Sequence, residues 1–399
     1  MNVFYIPSWY PSPSNPIYGI FVREEIELLK SYKVIENAAI SLWGQGHEPS
    51  LLWTRKPVQS LKKMLHREAP EIIERQPGFT EYYNPRLIWN RAFLKGNLRS
   101  IYKANCENFL EAQRDFGKID LVHVYASYPG AMIGACLARK YGVPFVISTA
   151  MSPFPFQEFL DRKGQLVFWL LQPLKEASRL IVTSHRAAKE AALQELDHTV
   201  IVPRIRDLDK FVPSESSNAD GKVRLLAVGR LVPQKGFDLL IEAFSRTPDH
   251  YYLEIVGEGE DRPMLEKMIR QLSLGDRVKL VGEKSRDEVI KQMQACDVFV
   301  LSSRHESFGN VVIEALSCGK PVIATRCGGP EDIMTEKLGL LVENENVNEL
   351  AEALSRATEL MSNISSEEVR GEVVTRFHPK ILTEKIDKIY KQAISQNRG

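Results

Sequence analysis

Two doubly wound α/β domains are the fold class that this 399-residue sequence predicts. The first observation is a series of short runs that are β-branched and apolar throughout, as strands buried on both faces would be. The second is that apolar stripes at helical spacing lie between those runs, and strands alternating with helices build a parallel sheet. The third is length: at roughly 150 residues per domain the chain holds two or three. The polar, turn-forming Pro213–Gly221 reads as the linker between them. The expected division is 1–205 for the first domain, 206–375 for the second, and 376–399 for a C-terminal helix that packs back on the first.

In chain order, Val3–Ile6 reads as a strand followed by a loop rich in Pro, Ser and Asn. Ile20–Leu29 reads as a helix with Phe21, Ile26 and Leu29 on its inner side. Leu121–Val124, Pro144–Ile147, Leu180–Thr183 and Thr199–Val202 are further buried strands, while the stretch from about Ser50 to Lys103 has no clear pattern. The second half is sharper. Arg224–Leu231, Tyr252–Val256, Val278–Val281, Val298–Leu301, Pro321–Ala324 and Leu338–Val342 predict strands. Between them, Phe237, Leu240, Ile241 and Phe244 form one helical stripe, Met264, Met268 and Leu272 a second, and Leu350, Ala353, Leu354 and Ala357 a third.

Composition excludes several classes. Hydrophobic residues are 44% and charged residues 26%, ordinary for a globular chain and foreign to disorder, collagen or coiled coil. No apolar run reaches the roughly 18–20 residues of a spanning helix. The N-terminus lacks the basic and apolar regions of a secretory signal. Five cysteines with no CxxC fit a reducing cytosol rather than a disulfide framework or zinc site. The net charge of +1 gives no reason to expect a nucleic-acid partner. Its distribution is uneven: +6 over residues 1–205 and −5 over 206–399, with Arg55–Lys103 carrying 11 basic and 4 acidic residues. A basic lobe fits an anionic partner, or a solvated surface.

Doubly wound domains bind ligands at the carboxyl ends of their strands, so the strand-end loops carry the functional signal. The strand ending near Val228 runs into Gly229-Arg230-Leu231-Val232-Pro233-Gln234-Lys235-Gly236, with two cations five residues apart in a loop bounded by glycines. Glycine lets backbone approach a ligand, and the cations suit a diphosphate. Val298–Leu301 runs into Ser302-Ser303-Arg304-His305-Glu306-Ser307-Phe308-Gly309-Asn310-Val311, where a helix starts near Phe308–Asn310. Its free N–H groups favour a phosphate. Glu306 lies just before that helix, and Glu314 lies two turns in among Ile313, Ala315 and Leu316, where a carboxylate needs a hydrogen-bonding partner. Sugar and ribose hydroxyls are such partners.

These motifs, with Val256-Gly257-Glu258-Gly259, Gly319-Lys320-Pro321 and Gly328-Gly329-Pro330-Glu331, resemble the family-4 glycosyltransferases over about Val223–Leu354. Those are retaining GT-B enzymes that use nucleotide-activated sugars. The N-terminal Ile6-Pro7-Ser8-Trp9-Tyr10-Pro11 and Gly19-Ile20-Phe21-Val22-Arg23-Glu24-Glu25 resemble members that build bacterial exopolysaccharide or surface glycans. The resemblance implies a GT-B fold and retaining transfer, of hexosyl type, from a UDP- or GDP-sugar to a glycan or lipid-linked hydroxyl. It implies that Arg230 and Lys235 hold the diphosphate, Glu306 the donor sugar and Glu314 the ribose. Amides at Gly309, Asn310 and Val311 would meet phosphate or sugar, and Gly19 would sit against the diphosphate. No cofactor or metal is expected.

Two departures bear on the acceptor side. Where the family often has His-x-His, this chain reads His123-Val124-Tyr125, and where a second His often follows the next strand it reads Ser148-Thr149-Ala150-Met151-Ser152. Tyr125 is then a phenol in place of an imidazole, though a poorer base at neutral pH, or an aromatic platform under a sugar; His123 reads as a core histidine. Asp207-Leu208-Asp209 looks like a metal-binding DxD but reads as the start of the linker. A nucleotide-sugar 2-epimerase and a non-catalytic nucleotide-sugar-binding protein share the fold and are the alternatives. The expected location is the cytoplasm, at the inner membrane face. There the basic stretch with Lys62, Lys63 and Arg67 and the aromatics Trp53, Tyr82, Tyr83, Trp89 and Phe93 would touch anionic lipid.

Overall fold

The computed structural model describes residues 1–12, 19–43, 69–86, 97–149, 154–155, 157–214 and 221–397. The chain forms two compact units. The first comprises Met1–Thr183, Ala188–Val202 and Leu382–Gly399, and the second Ser184–Ala187 and Pro203–Ile381.

The first unit is built on eight strands: β1 (Asn2–Pro7), β2 (Asn37–Leu42), β3 (Glu71–Gln76), β4 (Phe79–Tyr83), β5 (Leu121–Tyr125), β6 (Phe145–Thr149), β7 (Arg179–Val182) and β8 (Thr199–Ile201). They lie in the order β3-β4-β2-β1-β5-β6-β7-β8. All neighbours pair parallel except β3 with β4. β1 is buried along its length from Val3 to Pro7 because it sits between β2 and β5 with layers on both faces. The chain turns from β1 to β2 on one side and returns to β5 on the other, so the topological switch point lies at the carboxyl ends of β1 and β5.

The helix after β1 runs Ile20–Ser31 and buries Val22, Glu25, Ile26 and Leu29. Phe21, expected on its inner side, is only partly buried, and Val22 takes its place. That one-residue rotation also turns Glu25 inward, where Tyr125 Oη donates to its carboxylate at 2.9 Å. The long helix Pro379–Gln396 buries Leu382, Ile386, Ile389, Tyr390 and Ala393, a stripe at helical spacing. Its Tyr390 hydroxyl is hydrogen-bonded to His123 Nδ1 at 2.6 Å, and His123 Nε2 to Ser148 Oγ at 2.7 Å. Both ring nitrogens of His123 are thus satisfied. Burial pushes the imidazole down to about 3, so it stays neutral at physiological pH. His123 is a core histidine.

The stretch without clear pattern contains the β3–β4 hairpin. It shows little periodicity because β4 buries polar residues: Glu81 is buried and takes Arg75 at 2.7 Å and the Tyr10 hydroxyl at 2.9 Å. Tyr82, expected at an interface, is instead buried, its hydroxyl donating to Asp115 at 2.7 Å. Trp53, Trp89, Phe93, Lys62, Lys63 and Arg67 lie outside the described residues, as do Ala150, Met151, Ser152 and the middle of Pro213–Gly221.

The second unit carries six parallel strands: β9 (Val223–Val228), β10 (Tyr251–Val256), β11 (Val278–Gly282), β12 (Val298–Leu301), β13 (Val322–Thr325) and β14 (Gly339–Val342). Their order is β11-β10-β9-β12-β13-β14, which puts the switch point between β9 and β12. The stripes Phe237/Leu240/Ile241/Phe244 and Leu350/Ala353/Leu354/Ala357 are buried in one core cluster. The helix Arg262–Gln271 presents Leu265 and Ile269 to that cluster, while Met264 and Leu272 are largely exposed. Met268, the middle residue of the expected stripe, does pack against the same cluster, so the core-facing surface takes in part of that stripe and is centred one position from it. Leu208 and Phe211 seat in the second unit's core together with Val369, Val373 and Phe377. The main part of this unit runs Pro203–Ile381. Among the described residues no helix is long and apolar enough to cross a membrane.

Candidate functional site

The second unit's switch point is made by the loops after β9 and β12. β9 ends at Val228, earlier than Leu231, and releases Gly229–Gly236 as a loop. Gly229 N–H donates to Val256 O at 2.9 Å and Leu231 N–H to Glu258 O at 2.9 Å, so the Val256–Gly259 segment backs this loop. The chain then makes a single 3₁₀ turn, Pro233–Lys235. Ser302 Oγ donates to Lys235 O at 3.0 Å and Gln234 Nε2 to His305 O at 2.8 Å, fastening the two strand-end loops to each other. Lys235 Nζ and the Glu306 carboxylate meet in an ion pair, both side chains largely buried.

Glu306 is held from several sides. Its N–H donates to Cys327 O at 3.0 Å, its O accepts from Gly329 N–H at 3.0 Å, and Ser303 Oγ donates to its Oε1 at 3.1 Å. Three residues on, Gly309 adopts φ 92°, a conformation that L side chains rarely take, and starts the helix Asn310–Ser317 with no side-chain cap. The first N–H groups of such a helix are donors without an intrahelical acceptor. Asn310 Oδ1 is shielded from solvent and meets no donor among the described residues. A buried acceptor of this kind costs about 1–3 kcal/mol until something donates to it.

Glu314, just over one turn into that helix, is buried at 7% exposure. It is no solvated surface carboxylate. Arg206 Nε lies 3.6 Å and an Arg286 terminal nitrogen 3.9 Å from the same Oε1, and the Arg286 guanidinium also covers the Phe211 ring at 5.4 Å. Sequence reading missed both arginines. Arg286 had a signal: Ser285-x-x-Glu288 is a capping box, formed in the structure, which fixes Arg286 as the first helical residue after β11. Arg206 had none, since its approach to Glu314 spans over a hundred residues.

The structure thus brings Lys235, Glu306, Gly309, Asn310, Val311 and Glu314 onto the two loops and the helix of one switch point. Arg230 stands exposed on the same β9 loop, its side chain without an ion-pair partner among the described residues. Gly19 and Tyr125 belong to the other unit. Gly19, at φ 71°, lets the Ile20–Ser31 helix start against the Trp9–Tyr10 backbone, which a Cβ would meet at 2.4 Å. Tyr125 ends β5 at 4% exposure, stacked on His123 with ring centroids 4.4 Å apart. That packing corrects the reading of its ring as an open platform: it lies inside the unit, and its proton is directed to Glu25. Asp207 caps the turn Leu208–Lys210, its carboxylate accepting from Asp209 N–H at 3.3 Å.

Comparison with known proteins agrees with this architecture. The profile of the family described as glycosyl transferases group 1 matches residues 210–371. An uncharacterized glycosyltransferase of Methanocaldococcus jannaschii is 30% identical over 348 residues, covering 84% of this chain and 93% of that one. The Escherichia coli UDP-Gal:alpha-D-GlcNAc-diphosphoundecaprenol alpha-1,3-galactosyltransferase is 29% identical over 77% of this chain and 82% of its own. Among solved structures, Anabaena HepE in complex with UDP superposes with a TM-score of 0.70 at 19% identity, over 97% of this chain and 99% of that one. The fold is thus that of the GT-B enzymes.

Proposed function

The chain belongs to the group 1 glycosyltransferases, and from that premise we propose that it moves a hexosyl group, with retention of configuration, from a nucleoside diphosphate sugar to an acceptor hydroxyl. The observation that carries this reading is Lys235 beside Glu306 at the uncapped start of the Asn310–Ser317 helix. A cation and free N–H groups suit a diphosphate, and the carboxylate paired with that cation suits the hydroxyls of the sugar attached to it. HepE's complex with UDP and the UDP-Gal in the galactosyltransferase's name favour UDP over GDP.

In the proposed reaction the bond from the anomeric carbon to the diphosphate breaks and the acceptor oxygen bonds to that carbon from the same face. The acceptor's proton passes to the leaving phosphate oxygen, so no protein nucleophile is required. Lys235, the exposed Arg230 and the helix N–H groups stabilise charge gathering on the leaving group. Glu306 holds donor-sugar hydroxyls and Glu314 the ribose, with Arg206 and Arg286 beside the Glu314 carboxylate. The acceptor on this reading is a glycan or lipid-linked sugar at the cytoplasmic face of a membrane. The galactosyltransferase's diphosphoundecaprenol acceptor and the basic stretch Arg55–Lys103 support that choice.

A thermal-shift screen of nucleotide sugars in EDTA tests the reading. A UDP-sugar is expected to raise the melting temperature, since ligand at a hundred times Kd stabilises by about 2.7 kcal/mol. Release of UDP should persist in EDTA, because side-chain cations and a helix N-terminus carry the charge. No shift with any nucleotide sugar would contradict the donor assignment. Turnover lost in EDTA and restored by Mn²⁺ would make Asp207 and Asp209 ligands instead.

A further inference from the structure

We propose that Arg304 is the positioning residue of this site, setting the spacing between Lys235 and Glu306 without itself meeting the donor; this rests on the reading of those two residues given above. Arg304 stands two residues before Glu306 in the β12 loop, yet its guanidinium is spent on three other segments. One terminal nitrogen donates to Pro233 O at 2.7 Å, the first residue of the turn that carries Lys235. Its two terminal nitrogens grip Asp238 at 2.8 and 2.7 Å, in the first turn of the helix that follows Lys235. Its Nε donates to Glu345 at 3.0 Å, beyond β14.

The main chain of the same residue completes the joint. Arg304 N–H donates to Gln234 O at 2.8 Å, and Arg304 O accepts from Asn344 Nδ2 at 2.8 Å. Lys235 is therefore bracketed on both sides, at Pro233 and at Asp238, by one side chain rooted in the loop that carries Glu306. The paired Asp238 carboxylate is held below its usual range, and Arg304 above its own. Only a planar fork can satisfy a bidentate carboxylate and a carbonyl together; an ammonium is a point donor and cannot span them. A small displacement of Lys235 relative to Glu306 would cost rate out of proportion to stability.

The test separates positioning from plain stabilisation. UDP affinity by calorimetry and melting temperature are measured for Arg304→Lys, Arg304→Ala and Asp238→Asn, each also in a Lys235→Ala background. Arg304→Lys keeps a charge for Asp238, so the melting temperature should stay near wild type while UDP affinity falls about tenfold. Asp238→Asn, which keeps the size of the residue, should likewise weaken UDP several-fold. In the Lys235→Ala background both should change affinity by less than twofold, because the effect runs through Lys235. Affinity restored fully by Arg304→Lys, or losses of equal size in both backgrounds, would overturn the proposal. If Lys235→Ala alone binds UDP like wild type, the underlying site reading fails and this inference fails with it.

Discussion

Glu306→Gln is expected to lower kcat by about two powers of ten or more while leaving the chain folded and UDP affinity within a few-fold of wild type. Glutamine keeps the shape of the residue, and the main-chain bonds to Cys327 and Gly329 that seat it do not involve the carboxylate. On the proposed reading, what is lost is the charge facing the donor sugar, whose value is greatest when positive charge builds at the anomeric carbon. An interaction that strengthens in the transition state shows in kcat rather than in binding. Glu314→Gln should behave differently. Its carboxylate lies 3.6 Å from Arg206 and 3.9 Å from Arg286, just over one turn into the helix. On the proposed reading this carboxylate holds the ribose, so donor affinity should suffer more than turnover. Steady-state kinetics with UDP-sugar, read as separate kcat and KM, distinguish the two; near-wild-type values in both variants would remove both residues from the site.

Gly329→Ala is expected to abolish UDP release and to lower stability by roughly 1–3 kcal/mol, the usual cost of forcing an atom into a packed interior. A Cβ on Gly329 would lie 2.2 Å from the Cα and O of Phe308, backbone atoms that cannot swing aside as a side chain would. Relief requires Ser307–Gly309 to move, which breaks the Gly329 N–H to Glu306 O bond at 3.0 Å and displaces the start of the helix. Gly371 is the contrasting case. It lies exposed within the Ser366–Phe377 helix with nothing within 4 Å of a Cβ, so Gly371→Ala should raise the melting temperature and leave turnover alone. Equal effects at the two positions would mean that the packing around Phe308 does not hold the site.

The parallel sheets were legible because a strand buried on both faces must be apolar throughout, and β9, β10, β12 and β13 are nearly so. The phosphate-type loops were legible because their glycines, cations and carboxylates lie close together in sequence. What escaped was set by distant partners. Nothing local in the sequence shows that Glu25 is met by Tyr125, a hundred residues on, which donates to it. Nor does anything local in the sequence show that Arg206 and Arg286 approach Glu314, or that Arg304 meets Asp238 and a main-chain carbonyl. The β3–β4 hairpin hid because Glu81 is stabilised inside by Arg75 and Tyr10 rather than by apolar neighbours. On Arg262–Gln271 the expected stripe was partly right, since Met268 packs against the core with Leu265 and Ile269 whereas Met264 is exposed.

Calorimetric titration of UDP into the wild-type chain and into Lys235→Ala, both in EDTA, tests the central claim most directly. The account predicts saturable binding to the wild type and a loss of at least tenfold in the variant. A charge-assisted hydrogen bond is worth about 1.5–3 kcal/mol, and without Lys235 the Glu306 carboxylate repels the diphosphate. Absence of UDP binding to the wild type, or equal affinity in the two proteins, would contradict the placement of the donor at the β9–β12 switch point.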